Sequence, residues 1–168
     1  MKQWGRRTGI VVWIAAFMLL VIAWIVSWYL TRPHAIRALW YVGWVAWIAG
    51  AILIILPLLM IYGGSRTKEG KGWFDAVTVV DRGIYSVVRH PLYLGWLLMY
   101  VVVIFFGQHW ITSLMGIAGM VCVYLISLQE ERRLIERLGE DYRLYLQKVP
   151  RMNIVLGIIR ALRRRKNK

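Results

Sequence analysis

The sequence predicts an all-α fold: a polytopic membrane protein with about four transmembrane helices, followed by cytosolic C-terminal helices. Three observations carry that expectation. The residues are 60% apolar, with 10 Trp and 9 Tyr among 168, which leaves too little polar surface to clothe a soluble domain of this length. The apolar residues fall in long charge-free blocks, 9–30, 38–64 and, with neutral histidines, 90–128. The 22 Lys and Arg, set against 8 Asp and Glu, all lie outside those blocks.

At about 1.5 Å per residue, roughly 20 residues cross the hydrocarbon core as a helix. The first two blocks therefore give one span each, near 9–30 and 36–62. The first is longer than a typical signal h-region and no small-residue cleavage site follows it, so it is expected to remain as a span. Pro57 sits inside the second and is expected to kink it, with a neighbouring helix covering the freed carbonyl. The third block has room for two spans, near 92–106 and 110–128, joined at Gly107-Gln108-His109, a small polar set suited to a tight turn. The first of that pair is short. In the stretch 153–168, Ile154, Val155, Ile158, Ile159 and Leu162 recur at helical spacing ahead of Arg163-Arg164-Arg165-Lys166. An interfacial amphipathic helix is expected there, with a disordered basic tail as the alternative. The chain shows no internal repeat.

Charge sets the expected orientation. Lys2, Arg6 and Arg7 precede the first span; Arg66, Lys68, Lys71, Arg82 and Arg89 lie between the second and third; a dense basic tail follows the fourth. The other two loops hold only Arg32 and Arg37. The positive-inside tendency then puts both termini and the central loop in the cytosol, in a plasma membrane if the source is prokaryotic and an endoplasmic-reticulum membrane if it is eukaryotic. The net charge of +14 raises the question of nucleic acid, but the bases flank spans instead of covering a soluble module. Anionic membrane lipids are the expected partners, not nucleic acid. Cys122 is the single cysteine and sits mid-span, so no intrachain disulfide and no thiolate metal site is expected.

Ionisable groups at a membrane boundary need partners, because burying them alone costs several kcal/mol. Two clusters qualify. Gly83-Ile84-Tyr85-Ser86-Val87-Val88-Arg89-His90-Pro91-Leu92-Tyr93-Leu94-Gly95 leads into the third span, and Glu130-Glu131 ends the fourth. Antiparallel spans joined by a tight turn bring both to one membrane level, giving a pocket lined by Arg89, His90, Tyr93 and two carboxylates. Helical spacing puts Glu130 on the face of Leu134 and Leu138, the apolar side. Each group also has an ordinary reading. Arg89-His90-Pro91 suits a helix start with a snorkelling arginine, and Tyr85 and Tyr93 suit interface aromatics. Glu130 and Glu131 suit a solvated helix, where Arg132, Arg133 and Arg137 offer pairing.

The same residues carry a resemblance. Val79-Val80-Asp81-Arg82-Gly83-Ile84-Tyr85 through Arg89-His90-Pro91-Leu92-Tyr93-Leu94-Gly95 resembles the signature of the isoprenylcysteine carboxyl methyltransferase family and its phospholipid-methyltransferase relatives. Glu130-Glu131, Leu138-Gly139-Glu140-Asp141-Tyr142, Tyr145 and Val149-Pro150-Arg151 follow in the family's order. The resemblance covers roughly 73–151, which divides the chain into a two-span region (1–72), a methyltransferase-like core with a helical hairpin (73–151) and a basic amphipathic tail (152–168).

The resemblance implies S-adenosylmethionine bound near the cytosolic face and a lipophilic acceptor, a prenylcysteine carboxylate or a lipid amine, arriving from the bilayer. Carried over by motif, Tyr85, His90, Pro91, Tyr93 and Glu130 line the cofactor pocket, and the segment before Tyr85, especially Val77 and Val80, closes over it. Glu130 neutralises the cofactor's positive charge. Arg89 and Glu131 are the candidates for acting on the substrate, Arg89 by orienting it and Glu131 by orienting it or by taking a proton from an ammonium acceptor. One departure matters: relatives acting on prenylcysteine place an arginine shortly before the paired acids, where this chain has Ile126, Ser127 and Leu128. Sterol-reductase-like membrane proteins resemble the same C-terminal scaffold and use NADPH, which makes a reductase the alternative enzyme; a non-catalytic scaffold is the alternative outside enzymes.

Overall fold

The computed structural model describes residues 2–30, 36–64 and 83–166. Every long element among them is a helix: α1 (Lys2–Leu30), α2 (Arg37–Gly64), α3 (Pro91–Gly107), α4 (Trp110–Lys148) and α5 (Ile154–Lys166), with a 3-10 turn at Gly83–Ser86. No strand occurs among the described residues, as expected of apolar segments that must satisfy their own backbone groups in lipid. Val11–Leu30, Arg37–Leu59 and the helix Trp110–Lys148 are long and apolar enough to cross a membrane. α3 is equally apolar but has 17 residues, about 25 Å of helix against a hydrocarbon core of about 30 Å. The charge-free first half of α4, 110–129, makes about 30 Å of helix and suffices to cross, and the remainder runs beyond it. That remainder bends at Gly139, whose φ of 59° is one that residues with a Cβ rarely adopt. Pro57 is buried inside α2, which continues through it to Gly64.

The chain forms two compact units. The first comprises Met1–Ile54 and Tyr93–Gln129. Its centre holds small and branched residues, Ala16, Ala23, Val102, Val103, Val123 and Ile126, around the fully buried Tyr100, whose hydroxyl donates to the carbonyl of Ala16. Phe106 is ringed by Trp24, Trp40 and Trp44 at centroid distances of 5.6–6.0 Å. α2 and α3 approach closely at Gly50 and Gly95, where a Cβ on Gly95 would lie 2.9 Å from the Gly50 carbonyl oxygen. The α3–α4 turn is as tight as the sequence predicts. Gln108, at φ 42°, uses its side-chain amide twice on Ile36, accepting from the backbone N–H (2.7 Å) and donating to the carbonyl (3.1 Å). Large apolar side chains such as Val11, Phe17, Ile25, Trp28, Val45 and Ile52 face outward. In water such a surface would drive association; in lipid it is the contact surface.

The second unit comprises Ile55–Leu92 and Glu130–Lys168. Tyr142, Tyr145 and Val149 form its buried apolar cluster, with Leu134, Ile135, Leu138 and Leu146 packed on them. Asn153 caps α5, its Oδ1 accepting from the N–H of Leu156 at 2.9 Å.

Candidate active site

The second unit brings together two segments that the sequence holds far apart. Gly83, at φ 58°, opens the 3-10 turn; Ser86 donates its hydroxyl to the Gly83 carbonyl (2.7 Å), and the N–H groups of Val87 and Val88 both donate to Ile84 (3.0 Å). The residue before a proline is pushed away from helical geometry, so the chain straightens at His90 before α3 begins at Pro91. There it runs beside the segment after α4: Arg89 N–H donates to the carbonyl of Pro150 (3.1 Å) and His90 N–H to that of Arg151 (3.2 Å). Tyr145 adds a third tie, its hydroxyl donating to the Tyr85 carbonyl at 2.7 Å.

These backbone ties place two guanidinium groups around one carboxylate. Arg89 Nη1 donates to Glu131 Oε1 and Arg151 Nη2 to Glu131 Oε2. The side chain of Glu131 is 6% exposed, that of Arg89 11% and that of Arg151 29%. Burying an ion pair is justified energetically only when its geometry is good and further hydrogen bonds complete it. Here both carboxylate oxygens are engaged. Arg89 keeps a buried Nε–H with no hydrogen-bond partner among the described residues. His90 is buried beside them, and its imidazole is held far below its usual range, to about 3, first by burial and then by the charges of Arg89 and Arg151. It is therefore neutral at physiological pH. Burial also pushes the Tyr85 phenol up.

The residues singled out from sequence fall as follows. Arg89, His90, Tyr85, Pro91, Glu130 and Glu131 all belong to this unit. Pro91 is fully buried at the first position of α3, which proline favours. Tyr93 belongs to the first unit, buried with its ring 5.4 Å from that of Trp13. Val77 and Val80 lie outside the described residues. The two acids differ from the spacing argument in one respect. Leu134 and Leu138 do pack inward, but the more deeply buried carboxylate is Glu131; Glu130 keeps a third of its side chain exposed, 3.9 Å from Arg133. Adjacent helical positions differ by about 100°, and the arginines decide which of the two turns in.

Arg151 is the functional candidate that sequence reasoning leaves out of the site. Its signal is the Val149-Pro150-Arg151 string, where proline stops the helix and turns the next side chain back. Arg89 and Arg151 supply two guanidinium groups to the second acid of the pair.

This constellation can hold an anion against Arg89 and Arg151 and a cation against the half-exposed Glu130. The sequence profile described as phospholipid methyltransferase matches residues 45–141, more than half of the chain and including every described candidate but Arg151. The chain belongs to the phospholipid methyltransferase family. Similar proteins include the methanethiol S-methyltransferase of Crocosphaera subtropica, 29% identical over 131 residues that cover 71% of this chain and 46% of that protein. The methanethiol S-methyltransferase of Mycobacterium tuberculosis is 28% identical over 158 residues, covering 86% of this chain and 61% of that protein. The chain thus spans about half to three-fifths of the length of these family relatives. No solved structure matches it.

Proposed function

We propose that this member of the phospholipid methyltransferase family is an integral membrane methyltransferase that uses S-adenosylmethionine at the cytosolic face. The observation that carries the reading is the buried Arg89–Glu131–Arg151 group, in which Arg89 keeps a buried Nε–H with no partner among the described residues. A cofactor bearing a carboxylate at one end and positive charge nearby fits what these residues offer. Arg89, with its unused Nε–H, and Arg151 suit the carboxylate, and Glu130 suits the ammonium or sulfonium. When bound, S-adenosylmethionine supplies an activated methyl group for in-line displacement. The chain's own task is to orient the reactants and exclude water. Tyr85, His90 and Pro91 serve that task as walls of the site in the second unit.

The acceptor class follows from proton accounting. An ammonium must lose a proton before it attacks, whereas a carboxylate or thiolate does not. Glu131 has both oxygens engaged by guanidinium groups, so its role is to position Arg89 and Arg151, not to take up a proton. Neutral His90, with its proton affinity suppressed, is a poor base as well. An anionic acceptor is favoured over a lipid amine. A prenylcysteine carboxylate fits that description as it stands, and a thiol, the acceptor in the relatives' names, fits it as the thiolate, once it has lost its proton to solvent.

Titration of the purified protein with S-adenosylmethionine and with NADPH tests the proposal. Binding of the first, and added heat stability from it, are expected. Binding of NADPH alone would replace the methyltransferase by a reductase.

A further inference from the structure

α5 has two faces with different occupations. On one, Gly157 sits so close to the chain ahead of Arg89 that a Cβ would lie 2.0 Å from the carbonyl oxygen of Val87. Arg164, seven residues on and therefore on the same face, donates from Nη1 to the Lys148 carbonyl (2.8 Å) and from Nη2 to the Ser86 carbonyl (2.7 Å). Arg164 thus joins the end of α4, where a cation is favoured, to the 3-10 turn that carries Tyr85. On the opposite face, Val155, Ile158, Ile159 and Leu162 follow the i, i+3, i+4, i+7 pattern and are 70, 46, 43 and 60% exposed. Arg163 and Lys166 are exposed at the edge of that apolar stripe.

An apolar stripe edged with cations matches the surface of a bilayer that carries anionic headgroups. Proximity favours the same occupant. Gly157 and Arg164 touch Val87 and Ser86, which lie four and five residues before the apolar helix α3 begins at Pro91.

We propose that α5 docks on an anionic lipid surface, and that docking presses its other face onto residues 84–90, so that lipid charge sets how firmly the candidate site is held. Undocked, α5 has its apolar stripe in water and gains by moving. Moving it withdraws Arg164 from Ser86 and Gly157 from Val87, and so loosens the turn that precedes Arg89 and His90. The proposal deepens the methyltransferase reading by adding its regulation, but the contacts on which it rests are independent of any cofactor.

The test uses the full chain in vesicles of phosphatidylcholine alone and of phosphatidylcholine mixed with phosphatidylglycerol. Amide hydrogen exchange is read at Val87, Val88, Arg89 and His90 with no cofactor added. In the mixed vesicles exchange at these amides is expected to slow several-fold, and high salt should remove the difference. A Val155→Asp, Leu162→Asp double variant alters only exposed positions, and its exchange should be insensitive to lipid charge. Equal exchange of the wild type in both lipids, or an unchanged response in the double variant, would overturn the proposal. So would slowing that follows the protein-to-lipid ratio instead of lipid charge, because a second copy would then be covering the stripe. A parallel titration with S-adenosylmethionine separates the two ideas: absence of binding in every lipid defeats the methyltransferase reading and leaves the exchange result standing.

Discussion

Glu131 on α4 is held by Arg151, a residue twenty positions later that returns to it because the helix ends just before Pro150. Arg89 completes the arrangement from the other side, forty-two positions earlier. The geometry predicts an unequal response to removing one member. Glu131→Gln removes the carboxylate that Arg89 and Arg151 share and leaves the buried Arg89 facing a neutral amide, and a cost of about 3–5 kcal/mol is expected. Arg151→Gln leaves a neutral Arg89–Glu131 pair, and Arg151 is the most exposed of the three, so a cost of about 1–2 kcal/mol is expected after allowing for solvent screening. Chemical unfolding in detergent measures both. Equal costs would mean that the three groups do not act as one buried unit.

Glu130 should behave in the opposite way. With a third of its side chain exposed and Arg133 as a distant partner, Glu130→Gln should change stability by only a few tenths of a kcal/mol. If Glu130 holds the positive end of the cofactor, the same change should weaken S-adenosylmethionine binding about 30-fold or more, the equivalent of roughly 2 kcal/mol. Glu136→Gln, on the exposed side of the same helix, is the control. Calorimetric titration of the three proteins decides the matter, and matching affinities would remove Glu130 from the site.

His90 gives the fold a dependence on acid. Its folded value near 3 lies below the unfolded value near 6.5, so in that interval the unfolded chain binds the proton that the folded chain refuses. Stability contributed by neutral His90 is whole above pH 6.5 and is lost as pH falls toward 3, by at most about 1.4 kcal/mol per pH unit. His90→Gln should flatten the dependence of unfolding free energy on pH between about 6 and 4. An unchanged slope would show that His90 is protonated in the fold.

Much of the fold is legible in the sequence because lipid leaves an apolar segment few options. The charge-free blocks at 9–30 and 38–64 become helices, Gly107-Gln108-His109 becomes a turn, and 154–166 becomes a helix with a basic, apolar-striped surface. Periodicity is less informative about the site. It identifies the neighbourhood of Glu130 and Glu131, but their relative burial is fixed by Arg89 and Arg151, which arrive from other segments. The clamp of Gly157 on Val87 is invisible for the same reason. A glycine inside a helical pattern shows in sequence only as a cost in propensity, and its benefit is a backbone contact seventy residues away.

The close approach of α2 and α3 offers a last prediction, one that separates rigid from compliant packing. A Cβ on Gly95 would meet the Gly50 carbonyl oxygen at 2.9 Å, the Ile54 backbone nitrogen at 3.2 Å and Ile54 Cγ1 at 2.7 Å. Two of those three are main-chain atoms, which retreat only if a helix moves. A Cβ on Gly50 would meet the terminal methyl of Met99 at 2.8 Å, with its other neighbours at 3.2 Å. Methionine has three rotatable bonds and can withdraw its tip. Overpacking typically costs about 1–3 kcal/mol, whereas replacing a helical glycine by alanine gains up to about 1 kcal/mol in propensity. Gly95→Ala should therefore destabilise, and Gly50→Ala should be close to neutral because the two terms nearly cancel. Both variants read by thermal unfolding in the same detergent provide the check. A larger loss at Gly50 than at Gly95 would show that α2 and α3 meet elsewhere along their lengths.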